Sequence, residues 1–222
     1  MSNKIAIIFD LDDTLMQERD FLESAYREIA GTLIPEHAED AYALLLRSYD
    51  EGGDPFGTLI NRYHLPVEKQ DLLDLYRHHQ PQLCLSPDAQ ALLDELKARN
   101  IPMGIISDGR SCTQRAKIQA LGLEAYIPRS AIIISEEFGS AKPDPSNYSY
   151  FHHYYPDHRY IYVGDNPTKD FIAPRKLGWL TACLQNKGRN IHPQRTDLPD
   201  DYMPDITLQH LSDLTSHILS QH

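Results

Sequence analysis

The feature that most constrains the fold is the run Ile5-Ala6-Ile7-Ile8-Phe9, followed at once by Asp10-Leu11-Asp12-Asp13-Thr14. A continuous, β-rich apolar run of this length suits a strand buried on both faces, as in a parallel sheet. From Ser86 onward the sequence alternates between the two periodicities. Ser86-Pro87 starts a helix that turns Leu92, Leu93 and Leu96 inward and ends near Asn100. A strand is predicted over 103–106, a helix over 111–121 closed by Gly122, and a strand over 131–134. A helix over 146–155, a strand over 160–163, a short helical region over 171–177 and a last core strand over 179–184 follow. Residues 206–219 read as a short strand and a closing helix. Strands alternating with helices predict βαβ units, hence an α/β fold with a Rossmann-like parallel sheet flanked by helices.

The stretch between the first strand and Ser86 has a different texture. Phe21, Leu22, Ala25, Tyr26, Ile29, Ala30 and Leu33 keep helical spacing, with Asp20 and Glu23 placed as a start signal. Pro35 opens a second helix through Leu44-Leu45-Leu46, and Gly52-Gly53-Asp54-Pro55 breaks it. Helical pieces follow over 56–63 and 67–79. The expected organisation is an α/β core domain formed by residues 1–16 and 82–222, interrupted by an inserted α-helical domain over 17–81. Residues 186–204 form a polar, proline-containing loop, long enough to expect a function or mobility.

Among the 222 residues, 21 Lys and Arg face 32 Asp and Glu, a formal charge of −11. That balance argues against nucleic acid or an anionic membrane as the main partner, and leaves room for a local basic pocket that takes a small anion. Cys84, Cys112 and Cys183 form no C-x-x-C pair and read as reduced thiols. The leading apolar run is too short for a signal peptide, and no stretch approaches the roughly 18 apolar residues of a membrane span. The expected location is the cytoplasm. His78-His79 and His152-His153 resemble metal pairs, but adjacent residues point apart on a helix, so they are expected as surface histidines. The tyrosines at 148, 150, 154 and 155 and Trp179 are expected as packing residues.

In an open parallel sheet, ligands bind outside the carboxyl ends of the strands. Those ends deliver Asp10-Leu11-Asp12-Asp13-Thr14, Ser107-Asp108-Gly109, Lys142-Pro143 and Gly164-Asp165 through Asp170. Crowded carboxylates need a cation, and hard oxygen ligands suit Mg²⁺. A lysine and a hydroxyl suit a phosphoryl group. In this order and spacing the chain resembles the haloacid dehalogenase (HAD) superfamily. Asp10 to Leu15 looks like its first motif, and Ser107, Lys142 and the pair Asp165/Asp170 look like its second, third and fourth. The helical insertion resembles the family's cap domain.

The resemblance implies that Asp10 is the nucleophile, giving an aspartyl-phosphate. It implies that Asp12 protonates the leaving oxygen and then takes a proton from water. Mg²⁺ would be held by the Asp10 carboxylate, the Asp12 backbone carbonyl and Asp165. Asp170 would bind it through water or orient Lys142. Lys142 and Ser107 would hold the phosphoryl oxygens, Gly109 would let backbone N–H groups approach, and Thr14 would fix the loop. Asp108 lies in the phosphate-binding motif, with its own role open. The family's dehalogenases lack an acid at the position of Asp12, because halide leaves without a proton.

The expected function is therefore a Mg²⁺-dependent phosphomonoester hydrolase for a small phosphate ester, resembling nucleotidases and sugar-phosphate phosphatases, in a monomer or homodimer. Two alternatives share the scaffold: a sugar-phosphate mutase, and a non-catalytic phosphate-sensing or partner-binding protein. Gln17, Arg19, Arg62, Tyr63, His64, the 52–55 loop, Arg189 and Arg195 are the candidates for reading the substrate.

Overall fold

The computed structural model describes residues 4–219; Met1, Ser2 and Asn3 of the leading segment and residues 220–222 lie outside it. In chain order the elements are β1 (Ile5–Phe9), α1 (Glu18–Leu33), α2 (Ala38–Asp50), α3 (Pro55–Tyr63), α4 (Lys69–His78), α5 (Pro87–Ala98), β2 (Met103–Ser107) and α6 (Ser111–Ala120). They continue with β3 (Ile132–Ile134), α7 (Ser135–Phe138), α8 (Pro145–Tyr154), β4 (Arg159–Gly164), α9 (Ile172–Lys176), β5 (Leu180–Leu184), β6 (Ile206–Leu208) and α10 (Asp213–Leu219).

The six strands form one sheet in the order β3-β2-β1-β4-β5-β6, and every neighbouring pair is parallel. Consecutive residues are buried along β1, β2 and β4, so both faces of the sheet are covered. This is why these strands are written as unbroken apolar runs. The chain leaves β1 toward β2 and β3 on one side and returns to β4, β5 and β6 on the other. The strand order therefore reverses between β1 and β4, the place where open α/β sheets bind ligands.

Two compact units are present. One contains the described residues up to Glu18 and from Cys84 onward; the other is Arg19–Leu83. The second unit is helical throughout. Phe21, Leu22, Ala25, Tyr26, Ile29 and Ala30 of α1 are buried, as are Leu45, Leu59 and Leu72 from its other three helices. Edge-on and tilted aromatic contacts join Phe21, Tyr26, Tyr49, Phe56 and Tyr76, with centroids from 5.5 Å (Phe21–Tyr76) to 6.5 Å (Tyr26–Tyr49).

Several local expectations are corrected. Helix α1 begins at Glu18, ahead of the Asp20 signal, because Asp13 Oδ1 accepts from the Glu18 N–H at 2.9 Å and supplies the cap from upstream. Pro35 opens a single 3₁₀ turn before α2. Ala131 ends a 3₁₀ turn rather than starting β3, and Trp179 is core but precedes β5. His79 is not a surface residue. It follows the last turn of α4 with extended backbone, so its ring folds in against Phe21, with centroids 4.7 Å apart. Among the described residues, no helix is long and apolar enough to cross a membrane.

Candidate active site

The register of β1 against β4 sets the centre of the site. Phe9 pairs with Val163, and the Asp10 N–H donates to the Val163 carbonyl at 2.8 Å. Asp10 and Asp165 thus leave adjacent parallel strands at the same edge. Between them Gly164 must lack a side chain, because a Cβ there would stand 2.5 Å from Asp170 Oδ2. That closeness lets Asp170 reach back under the turn. Its Oδ2 accepts from the N–H groups of Asp165 (3.2 Å) and Asn166 (2.8 Å). Its Oδ1 receives Lys142 Nζ at 2.7 Å.

Lys142 is buried and also lies 2.7 Å from Asp10 Oδ1 and 3.1 Å from the Tyr162 hydroxyl. Although burial opposes its charge, Asp10 and Asp170 hold its pKa well above the ordinary lysine range. Burial pushes the Asp10 carboxyl up to about 6, against the attraction of Lys142. Burial, then the charges of Asp10, Asp170 and Asp13, push Asp165 up to about 8, while a hydrogen bond from Asn190 draws it down.

Asp12 is held from α6. Lys117 Nζ lies 2.6 Å from Asp12 Oδ1, and Gln114 Nε2 donates to Asp12 Oδ2 at 2.8 Å. The same Gln114 nitrogen donates to Ser107 Oγ at 2.5 Å. Both amide hydrogens of Gln114 are then used, and the Ser107 hydroxyl hydrogen is left to point elsewhere. Gln114 and Lys117 were not anticipated. A polar residue facing inward from an otherwise ordinary helix gives no signal in one sequence, beyond being buried where a helix should bury apolar side chains.

Asp108 faces away from a ligand role for its carboxylate. Oδ1 accepts from the Lys142 N–H at 3.0 Å, and Oδ2 lies 3.2 Å from Lys169 Nζ. It ties the second motif to the third and fourth. Gly109 has φ 145°, a conformation other residues rarely adopt, and its N–H donates to Ser135 Oγ at 2.9 Å. The Thr14 hydroxyl is buried and has no hydrogen-bond partner among the described residues. The loop after β1 is tied instead by Asp13, which caps α1 and accepts from the Ile191 N–H at 3.0 Å. Of the residues suggested for substrate reading, Arg19 is paired with Asp50 and Glu23, and Arg195 with Asp197 in its own loop.

The donor set fits a hard divalent cation. Asp10, Asp165 and Asp170 bring carboxylate oxygens within 4.8 Å of one another, all buried. Lys142 compensates part of this charge. Carboxylates this close cannot all ionise in a buried site without further positive charge, and oxygen-only ligation selects Mg²⁺-like ions.

A family model described as "haloacid dehalogenase-like hydrolase" matches residues 7–183, a span that contains Asp10, Asp12, Ser107, Lys142, Asp165 and Asp170. Glyceraldehyde 3-phosphate phosphatase of Methanocaldococcus jannaschii is 28% identical over 94% of this chain and 94% of its own. Pyrimidine 5'-nucleotidase YjjG of Escherichia coli is 28% identical over 97% of this chain and 98% of its own. Among solved structures, the HAD-hydrolase YfnB of Bacillus subtilis, bound to magnesium, superposes with a TM-score of 0.68. It is 20% identical and covers 97% of this chain and 98% of that one. A 2-haloacid dehalogenase of Pseudomonas syringae superposes at 0.62 with 22% identity, covering 98% of each chain. At these identities the structures speak for the fold. Strand order, motif order and the family match agree: this chain belongs to the haloacid dehalogenase-like hydrolases.

Proposed function

We propose that the chain is a Mg²⁺-dependent phosphomonoesterase for small phosphorylated metabolites, working through an aspartyl-phosphate on Asp10. The observation that carries this reading is the pairing of two aspartates two residues apart with different surroundings. Asp10 is buried against Lys142 beside Asp165, whereas Asp12 is held by Lys117 and Gln114. This contrast supports one carboxylate acting as nucleophile and the other handling protons. A dehalogenase would not need the second. The relatives named above act on a triose phosphate and on pyrimidine nucleotides, which supports a sugar phosphate or nucleoside monophosphate as substrate.

In this reading an Asp10 carboxylate oxygen attacks phosphorus in line with the leaving oxygen, and Asp12 gives that oxygen its proton. Asp12 then takes a proton from water, which attacks phosphorus and frees Asp10. Lys142 and the Ser107 hydroxyl meet the phosphoryl oxygens, where positioned charge supplies most of the acceleration. Asp10, the Asp12 carbonyl and Asp165 would hold the cation, with Asp170 orienting Lys142. Bound there, Mg²⁺ supplies charge neutralisation between carboxylates and phosphate. The helical unit Arg19–Leu83, inserted directly after the loop that carries Asp10 and Asp12, serves as the cap that selects the substrate. The free thiols Cys84, Cys112 and Cys183 fit a reducing compartment.

The test is phosphate release from sugar phosphates, nucleoside monophosphates and p-nitrophenyl phosphate, with Mg²⁺ or EDTA, by wild type and Asp10→Asn. Release that needs Mg²⁺ and disappears in Asp10→Asn is expected. An isomerised product without phosphate release would instead identify a mutase, and folded wild type without either activity would leave a binding protein.

A further inference from the structure

The loop between β5 and β6 is folded onto the site by its own side chains. Asn186 Oδ1 accepts from the N–H groups of Gly188 (2.7 Å), Arg189 (3.1 Å) and Asn190 (3.2 Å), which turns the chain back toward the strand ends. Gln194 fastens the returning segment. Its Nε2 donates to the carbonyls of Asp165 (2.6 Å) and Leu184 (2.7 Å), and its Oε1 accepts from the Asn186 N–H at 2.8 Å. From this frame Asn190 Nδ2 donates to Asp165 Oδ2 at 2.7 Å, and the Ile191 N–H donates to Asp13 Oδ2.

We propose that Asn190, held by the Asn186–Gln194 frame, is a positioning residue that fixes Asp165 as a one-oxygen ligand and so favours Mg²⁺ over Ca²⁺. This rests on the cation-dependent reading above. Asn190 occupies Oδ2, and Gln194 fixes the Asp165 backbone, so Oδ1 is the oxygen left to meet a cation. One oxygen in a fixed direction meets the near-octahedral demand of Mg²⁺, whereas Ca²⁺ accepts two-oxygen carboxylates and irregular shells. Groups that orient a metal ligand in this way typically change metal affinity by about 10–100-fold when removed. The loop thus carries Asn190 and the Ile191 amide to two acidic residues of the site.

The experiment is calorimetric titration of the whole chain with Mg²⁺ and with Ca²⁺, for wild type, Asn190→Ala and Asn190→Leu. Melting in EDTA and the Mg²⁺ dependence of phosphate release are read alongside. Both variants should bind Mg²⁺ at least about tenfold more weakly, with a smaller change for Ca²⁺. Half-maximal activity should move to higher Mg²⁺, while substrate KM at saturating Mg²⁺ and the EDTA melting temperature stay near wild type. Mg²⁺ and Ca²⁺ affinities unchanged in either variant, or weakened equally, overturn the proposal. If wild type binds Mg²⁺ but releases no phosphate, the phosphatase reading fails and the positioning role is still judged by the titrations. If wild type binds no Mg²⁺, both fall. Should the variants fail to fold, the side-chain amide resonances of Asn190 in ¹⁵N-labelled wild type decide. They should shift with Mg²⁺ along the calorimetric binding curve, and fixed resonances overturn the proposal.

Discussion

The charge cluster at the strand ends of the α/β unit and the surface pairs of the helical unit are opposite in kind. In the helical unit, ion pairs stand toward solvent: the side chains of Lys69 and Asp54 are 61% and 53% exposed, and Asp50, paired with Arg19, is 49% exposed, although Arg19 and Glu23 are half-buried. At the strand ends of the α/β unit, Lys142 and Asp170 pair at 0% exposure, and Asp10 joins them at 6%. Exposed pairs add little to stability, because water screens them and holding two long side chains costs entropy. Buried charges carry a desolvation cost of several kcal/mol each and persist only where partners and hydrogen bonds offset it. A chain with a good apolar core elsewhere gains nothing for folding from such a cluster. Its presence at the one sheet edge where the strand order reverses marks chemistry rather than stability.

The sharpest way to break this contrast is to remove the shared ammonium. Lys142→Met keeps length and apolar bulk but leaves Asp10 and Asp170 facing each other without it. A loss of about 3–5 kcal/mol is expected, since breaking a buried pair strands its partner charge. That corresponds to a fall in melting temperature on the order of 10 °C for a chain of this size. Phosphate release should fall by about 10²–10³ or more, the usual cost of one donor at a developing oxyanion. The deficit in stability should shrink as pH falls, because burial already pushes the Asp10 carboxyl up to about 6 and its protonation removes the repulsion. Thermal melts in EDTA from pH 5 to 8 test this; a variant as stable as wild type across that range would erase the distinction between the two units.

How much of this was legible beforehand follows the same division. The parallel sheet was readable because β1, β2 and β4 are buried on both faces and so carry unbroken apolar runs. The acidic groups and Lys142 were readable because each directly follows or lies between such strands, where the fold has a single edge for ligands. The residues that hold them were not. Gln114 and Lys117 reach Asp12 from across more than a hundred positions of sequence, and no local period marks them. Asn190 and Gln194 belong to a loop whose conformation depends on its own amide side chains, a pattern that polar composition alone cannot separate from a solvated linker. Thr14 was expected to fix the first loop, yet among the described residues its hydroxyl has no hydrogen-bond partner and Asp13 ties the loop, since the left-handed turn at Asp13 aims the longer carboxylate at Glu18 and Ile191. His79 was misplaced because the helical rule that separates neighbours stops applying at a helix end.

Glu18 sharpens the comparison with a smaller effect. It is the first residue of α1 and the last of the α/β unit's leading segment. Burial, reinforced by the charges of Asp12 and Asp13 and opposed by Lys117 and Lys169, pushes its carboxyl from 4.5 up to about 7. A carboxyl raised in the folded state favours folding while it is protonated, so its contribution is fully present below about pH 4.5 and is lost as pH rises through about 7. Glu18→Gln should therefore match wild type near pH 4.5 and melt a few degrees higher at pH 8, at about 2–4 °C per kcal/mol. Measured in EDTA, the difference between the two melting curves should grow steadily across pH 5–7. A constant offset would mean that the amide changes packing and that burial of charge at Glu18 has no cost.

The smallest effect lies within the helical unit, where one carboxylate serves two partners. Asp54 Oδ1 accepts from the Gly57 N–H at 3.1 Å and caps α3, while Oδ2 pairs with Lys69. The cap satisfies a backbone donor that the helix itself cannot, and its loss costs about 1 kcal/mol. The pair is exposed on both sides and is worth a few tenths of a kcal/mol at most. Lys69→Gln should lower the melting temperature by about 1 °C or less, and a Debye length near 3 Å at 1 M salt should remove even that. Asp54→Ala should lower it by roughly 3 °C, with little change on adding salt, because a short hydrogen bond to a backbone amide is not screened as a solvent-exposed ion pair is. If Lys69→Gln cost as much as Asp54→Ala, solvent-exposed charge would be holding α3 in place, and the contrast between the buried cluster at the strand ends and the exposed pair at α3 would not hold.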